Sequence, residues 1–326
     1  MRIGVVGNGN IVKRFLKDGA EVEHVETMAV CVREQSRKKG EELALAYGMK
    51  LYTDYGEFLN CEDMDTVYVG LINSQHYPYA RQALRAGKHV ICEKPLTVTW
   101  EEARELADLA RTQGLFLWEA FKLPYGPLVP AVKKHMGRLG PVRLVQCSYC
   151  RTGKAYEEYL RGIIRPVLDP ECAGGSLYDV NVYNLHFAVW LFGKPEKAEY
   201  FPASGGFNGV DTSGTVVLKY PGFQVICTAA MDCNGDNFCM VQGEKGWIKM
   251  EGPVSSASQA VLYMDGMTEV LAENPERGRL KSEIAEFARQ FHAGDYKACY
   301  EMMEHSLAVM EVLDVINREK EWNKGK

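Results

Sequence analysis

Six residues near the amino terminus, Gly7-Asn8-Gly9-Asn10-Ile11-Val12, have the types and spacing that hold a pyrophosphate. They follow a short apolar run, Ile3-Gly4-Val5-Val6, and open a helical stretch, the setting that gives G-x-G-x-x-[small] its meaning. Gly7 permits a tight turn and Gly9 lets a phosphate reach the main chain. A helix starting at Asn10 and Ile11 adds free N–H groups and a positive dipole end. Val12 is larger than the glycine or alanine usual at the third position, so it crowds the approach of helix and strand. Beyond the second strand, Cys31-Val32-Arg33 places a base where an NAD-specific site carries an acid. Arg33, Ser36 and Arg37 suit the 2′-phosphate of NADP; Glu34 argues the other way and keeps NAD as the alternative. A third group, Glu93-Lys94-Pro95, directly follows the apolar run His89-Val90-Ile91-Cys92. It therefore lies at the carboxyl edge of a parallel sheet, where such folds bind ligands.

The elements that must position these residues alternate regularly over the first 120 positions. Strand-like runs at Val25–Val32, Thr66–Leu71 and His89–Cys92 are separated by helical stretches at Ser36–Tyr47 and His76–Ala86, closed by Gly48 and Gly87. Thr99 with Glu102 forms a capping box for a helix reaching Gln113, before the strand Leu115–Trp118. This pattern predicts a doubly wound parallel sheet, a Rossmann domain over residues 1–121. The loop holding Leu71, Asn73 and His76 also follows a parallel strand and is expected to flank the cofactor. Pro124, Pro127 and Pro130 then break the rhythm. Strands follow at Arg143–Cys150, Thr215–Tyr220, Gln224–Ala230, Phe238–Gly243 and Trp247–Glu251. Turns at Pro221-Gly222, Asn234-Gly235 and Lys245-Gly246 read as joining the last four in a meander. Helical spacing returns at Ser282–Gln290 and Met302–Arg318. Residues 122–326 are thus expected to be a second α/β domain with a largely antiparallel open sheet. Its helices cover only one sheet face, which predicts a homodimer or homotetramer through the other.

Composition excludes several classes of function. Of 326 residues 46% are apolar and 25% charged, which argues for about two folded domains and against disorder. Lys plus Arg number 38 against 43 for Asp plus Glu, with no basic cluster beyond Arg37-Lys38-Lys39, so nucleic acid is not expected as a partner. No apolar run reaches the ~20 residues of a membrane span, and Ile3–Val6 is too short for a secretory signal. The cytoplasm is the expected compartment, where the ten cysteines stay reduced. Cys147-Ser148-Tyr149-Cys150 falls on a strand that turns the two thiols to opposite faces, so no metal is expected there.

Further motifs carry a resemblance. With Gly7-Asn8-Gly9 and Glu93-Lys94-Pro95 stand Asn73-Ser74-Gln75-His76, Gly174-Gly175-Ser176-Leu177-Tyr178-Asp179-Val180-Asn181-Val182-Tyr183, Gly209-Val210-Asp211 and Gly243-Glu244-Lys245-Gly246. In order and spacing the chain resembles the glucose–fructose oxidoreductase / inositol dehydrogenase / MocA (Gfo/Idh/MocA) family over nearly its whole length. The resemblance implies that Lys94 contacts substrate and nicotinamide ribose, and that Asp179 and Tyr183 complete the site. Their spacing of four sets both on one helical face. Trp118, Phe121, Tyr125, Arg161, Arg165 and Asn184 are candidates to line the substrate pocket. His186 reads equally as a core histidine or a substrate contact. Asn181 stands where the family often has glycine, and Pro124 where relatives often have arginine.

The chemistry is coherent on its own terms. Oxidising a secondary alcohol with a nicotinamide cofactor needs a held hydride acceptor and a group that takes the hydroxyl proton. A phenol with its ordinary pKa of about 10 is a weak base at pH 7. A cation about 4 Å away contributes roughly 4 kcal/mol at an effective dielectric near 20, up to about three pKa units before screening. The expected function is hydride transfer between NADP(H) and a sugar, polyol or related cyclic alcohol. Two alternatives keep the fold: a dinucleotide-binding sensor without turnover, and a sugar oxidoreductase whose cofactor does not dissociate.

Overall fold

The computed structural model describes residues 1–203 and 206–324; Gly325 and Lys326, the end of the second expected domain, lie outside the described residues. The chain forms two compact units, Met1–Phe121 with Arg279–Leu307, and Lys122–Gly278 with Ala308–Lys326.

The first unit is built on six parallel strands, β1 (Arg2–Val6), β2 (Glu26–Cys31), β3 (Lys50–Tyr52), β4 (Thr66–Val69), β5 (His89–Glu93) and β6 (Leu117–Ala120), in the order β3-β2-β1-β4-β5-β6. Strand order reverses between β1 and β4, the switch point at which doubly wound folds open a crevice. Ile3, Val5, Val67, Val69, Val90 and Ile91 are wholly buried. Such unbroken apolar runs are what a parallel sheet covered on both faces requires. The covering helices include α1 (Asn10–Gly19), α2 (Arg37–Tyr47), α3 (Tyr55–Leu59), α4 (Asn73–Arg85) and α5 (Trp100–Gln113), and α5 carries the expected Thr99/Glu102 capping box.

The second unit holds α6 (Leu128–His135), β7 (Val142–Cys150), α7 (Lys154–Tyr159) and α8 (Val182–Phe192), then β8 (Lys197–Ala203), β9 (Ser213–Tyr220), β10 (Phe223–Ala230), β11 (Phe238–Gly243), β12 (Gly246–Glu251), β13 (Gln259–Met264) and β14 (Met267–Glu273). Its eight strands run β14-β13-β12-β11-β7-β10-β9-β8. The expected meander is corrected here. β7 lies between β10 and β11, parallel to the first and antiparallel to the second, so the Asn234-Gly235 turn is not a hairpin. Inserted there, β7 pairs on both edges and leaves no N–H row exposed. Cys147 is buried and Cys150 half-buried on this strand, facing opposite ways as expected. α8 packs on β7 and β10. On the opposite face Val217, Ile226 and Met240 are half-buried and Trp247 is 43% exposed.

The carboxyl-terminal helices are α9 (Lys281–Ala293) and α10 (Tyr296–Lys324). The buried Asp18 carboxylate on α1 accepts from Leu280 N at 2.7 Å and Arg279 Nε at 3.1 Å, fastening the start of α9 within the first unit. α10 belongs to the first unit as far as Leu307 and to the second from Ala308. No helix among the described residues is long and apolar enough to cross a membrane.

Candidate active site

The first unit gathers the phosphate loop, the end of β2 and the Glu93-Lys94-Pro95 turn along one sheet edge. Gly7 has φ +110, and a Cβ there would lie 2.5 Å from Gly70 O, so only glycine fits. Its N–H donates to Cys31 O at 2.9 Å, tying the loop to β2. Gly9 caps α1, and nothing lies within 4 Å of where its Cβ would stand. The main chain at Gly9, Asn10 and Ile11 is therefore open to an anion at the helix start. Asn8 Nδ2 is a buried donor with no partner among the described residues. Val12, oversized by the motif, is accommodated by Gly70, where a Cβ would come within 2.6 Å of Val12 Cγ2.

At the end of β2, Arg33 is exposed and forms no ion pair with a described residue. Arg37 grips both oxygens of Glu34, at 2.7 and 2.8 Å, and reaches Thr53 Oγ1 at 3.2 Å. This hydrogen bonding holds the Glu34 carboxyl below the usual carboxylate range and neutralises the acid that argued against a 2′-phosphate. Ser36 caps α2 without a side-chain bond to it. An open glycine, an orphaned buried donor and an unpaired arginine together fit a bound phosphorylated dinucleotide.

Lys94 is held by its neighbours. Tyr68 OH donates to Glu93 Oε1 at 2.7 Å, and Leu96 N donates to Glu119 Oε1 at 2.9 Å. The Lys94–Pro95 peptide is cis. His76 lies with Nδ1 2.7 Å from Pro95 O and Nε2 3.2 Å from Leu71 O, so its buried ring braces the loops after β4 and β5. Burial holds the His76 pKa below the ordinary value, leaving a neutral ring whose N–H goes to the shorter contact. Asn73 is the first residue of α4. Trp118 and Phe121 are corrected as pocket candidates. Trp118 is buried, stacked on Phe116 and Phe287, and its Nε1 donates to Gln290 Oε1 at 2.7 Å. Phe121 is buried with its ring on His305. Apolar packing claims both.

The second unit carries Asp179 and Tyr183. Leu177–Asn181 forms a π-helical turn that runs into α8, where an ordinary helix was expected. Such turns occur often at functional sites. What fastens it is Asp211: Oδ2 accepts from Leu177 N at 2.9 Å and from Tyr200 OH at 2.7 Å. Gly175 has φ +116, and a Cβ there would lie 2.5 Å from Asp211 Oδ1. The two glycine motifs of the sequence thus meet as a turn and its cap. Tyr183 packs against a cluster containing Tyr149, Tyr159, Leu168 and Val180, with its ring centroid 6.2 Å from that of Tyr149. Asp179 lies 3.9 Å from Arg151 Nη2, and the Arg151 guanidinium is 5.5 Å above the Tyr149 ring.

Other candidates fall outside this group. Asn184 is wholly buried, its Nδ2 donating to Asn181 Oδ1 and Thr228 O, so it staples α8 to β10 and is corrected as a substrate contact. Asn181, the departure from glycine, supplies the acceptor and itself donates to Cys227 O. His186 is wholly buried, which favours its core reading. Arg165 is committed to Glu158 at 2.6 and 3.0 Å. Tyr125 is half-buried and Arg161 exposed. Sequence reasoning missed Tyr68, Glu119, Gly70 and Arg151, and left Asp211 without a role although its motif was visible.

Residues 1–121 match the family model described as "Oxidoreductase family, NAD-binding Rossmann fold", GFO_IDH_MocA, and residues 135–249 match the GFO/IDH/MocA C-terminal domain. The chain is 30% identical to scyllo-inositol 2-dehydrogenase (NADP(+)) IolU of Bacillus subtilis (strain 168) over 96% of this chain and 95% of that one. It is 33% identical to trans-1,2-dihydrobenzene-1,2-diol dehydrogenase of Oryctolagus cuniculus over 79% and 78%. Among solved structures, a 3-ketoreductase from Actinomadura kijaniata in complex with NADP and TDP-benzene superposes with a TM-score of 0.86 at 25% identity, covering 98% of this chain and 97% of that one.

Proposed function

This chain belongs to the Gfo/Idh/MocA oxidoreductase family, and we propose that it transfers hydride between NADP(H) and a secondary alcohol of a sugar, polyol or related cyclic substrate. The bacterial relative is named for NADP(+) and an inositol, and the rabbit relative for a cyclic diol. One observation carries the reading: the π turn capped by Asp211 keeps a carboxylate, Asp179, and a phenol, Tyr183, one turn apart beside Tyr149.

The nicotinamide, when bound, accepts or supplies the hydride. Gly7, Gly9, Asn10 and Ile11 hold the pyrophosphate and Arg33 the 2′-phosphate. Tyr183 takes the hydroxyl proton of the alcohol at its phenolic oxygen, or returns it in reduction. Lys94 orients the reacting hydroxyl and, as a cation, favours the ionised phenol. Asp179 orients both partners. Glu93, fixed by Tyr68, and the His76 brace keep Lys94 in register. The second unit, rather than the whole of residues 122–326 expected from the sequence, supplies the substrate side and, through the half-exposed sheet face, a contact with a second copy; the enzyme works in the cytoplasm.

The test is a panel of sugars, polyols and cyclic diols assayed with NADP+ and NAD+ by absorbance of the reduced nicotinamide. Turnover of at least one alcohol, abolished in Tyr183→Phe, is expected. Tight NADPH binding with no turnover across the panel would favour a sensor instead.

A further inference from the structure

We infer that Arg151 is a specificity-determining residue that reads an anionic group, carboxylate or phosphate, on the substrate; this rests on the reading of Asp179 and Tyr183 just given. Arg151 follows β7, and three consecutive residues there are fixed by the end of β10 and the β10–β11 connection. Cys150 N donates to Asn237 Oδ1 at 2.6 Å, Arg151 N to Ala230 O at 2.9 Å, and Thr152 N to Asn234 Oδ1 at 3.0 Å. Asn237 and Asn234 also donate back, to Cys150 O and Thr152 Oγ1. Two asparagines thus clamp the main chain on either side of one arginine, and preorganisation of this kind is what a binding group needs.

The side chain so placed is not spent on the fold. The side chain is 58% exposed and makes a single ion pair among the described residues, with Asp179 at 3.9 Å, too long for a hydrogen bond. No hydrogen bond joins the guanidinium to a described residue, so its five N–H donors are uncommitted there. Stacking over Tyr149, whose ring meets that of Tyr183, keeps it beside the reacting pair without satisfying its donors. The surrounding charge has the same sense. Residues 151–165 carry Arg151, Lys154, Arg161 and Arg165 against Glu157 and Glu158, in a chain whose net charge is -5. Glu158 is shared by Lys154 and Arg165, which leaves Arg151 and Arg161 without a hydrogen-bonded counter-ion among the described residues. A planar fork of uncommitted donors suits carboxylate and phosphate oxygens bidentately.

The experiment compares neutral sugars and polyols with their uronate and phosphate counterparts, using the full-length protein and NADP+. At least one anionic member should exceed its neutral counterpart in kcat/KM by tenfold or more. Arg151→Gln should cut that ratio at least tenfold, chiefly through KM, while Arg151→Lys retains part of it. The uronate and phosphate arms tell which anion is read. Neutral members equal to or better than anionic ones in the wild type, or a loss in Arg151→Gln that is the same for both, overturns the inference alone if Tyr183→Phe still abolishes turnover. No turnover of any member overturns it together with the functional reading.

Discussion

The tasks proposed for Tyr183 and Lys94 are separable, and substitution tells them apart. Tyr183→Phe should leave NADPH affinity nearly unchanged and lower kcat by about 10²- to 10⁴-fold, the usual worth of a positioned acid–base group. If Lys94 acts as proposed, Lys94→Ala should lose at least as much activity, and the pH optimum of what remains should move upward, because the cation that favours the ionised phenol is lost. Equal activity of Tyr183→Phe and wild type on the best alcohol would remove the phenol from the mechanism. In the proposed reading the cofactor choice turns on Arg33, since Arg37 is already gripping Glu34. Arg33→Ala should weaken NADPH tenfold or more, with NADH changed by less than threefold, in fluorescence titrations. Glu34→Gln should alter neither greatly, because its charge is already neutralised; a large gain in NADPH affinity there would contradict that account.

At the level of elements, the turn that carries Asp179 and leads into Tyr183 on α8 depends on a buried cap. Asp211→Asn removes the charge that receives Leu177 N and Tyr200 OH, and should cost about 1 to 3 kcal/mol, the penalty of a weakened buried hydrogen bond. Thermal denaturation measures that loss, and kcat should fall with it while dinucleotide affinity does not. The histidines of the first unit give a pH signature. Burial lowers the pKa of His76 and of His89, whose Nδ1 accepts from Phe116 N at 2.9 Å. The unfolded chain therefore takes up protons first, near the ordinary histidine pKa of about 6.5, and stability should be complete above that pH and decline as pH falls through it. Melting temperatures between pH 7.5 and 5.5 should show the decline, and His89→Gln should flatten it; an unchanged slope would remove His89 from the explanation. Much of this was legible beforehand. Strands β1, β2, β4 and β5 and the Thr99 cap follow from local patterns, and the two glycine motifs mark turns. The pairing of Asp211 with the turn at Gly175 was not legible, because 36 positions of sequence separate groups that meet only after folding. Trp118 and Asn184 misled for a related reason: aromatic and amide side chains serve a core as readily as a pocket, and only burial decides.

For the whole molecule, the half-exposed face bearing Val217, Ile226, Met240 and Trp247 should be the contact between two copies. Sedimentation of the wild type at micromolar concentration should give a dimer or tetramer, and Ile226→Asp should shift it to a monomer, since an unpaired charge in a buried contact is costly. A monomeric wild type would refute the pairing. The order of that sheet could not be read from the chain, because the Asn234-Gly235 dipeptide looks like a hairpin turn and instead carries the strand past β7. The Asp265-Gly266 dipeptide is a true hairpin, with φ 54 and 73, and was overlooked although its pattern is a strong local signal. Chain order also sets the timing of assembly during synthesis. Because the first unit is Met1–Phe121 with Arg279–Leu307, it receives its last pieces only after the intervening residues have been made. At ribosomal rates of about 5 to 20 residues per second, those intervening residues occupy the ribosome for roughly 8 to 30 seconds. Throughout that interval Trp118 lacks Gln290 and Asp18 lacks Leu280 and Arg279, and by its end the last strand of the second sheet is complete at Glu273. The half translated first thus waits unfinished while the whole second sheet is made, and a nascent chain stalled before Arg279 would present an unfinished nucleotide fold to the chaperones around it.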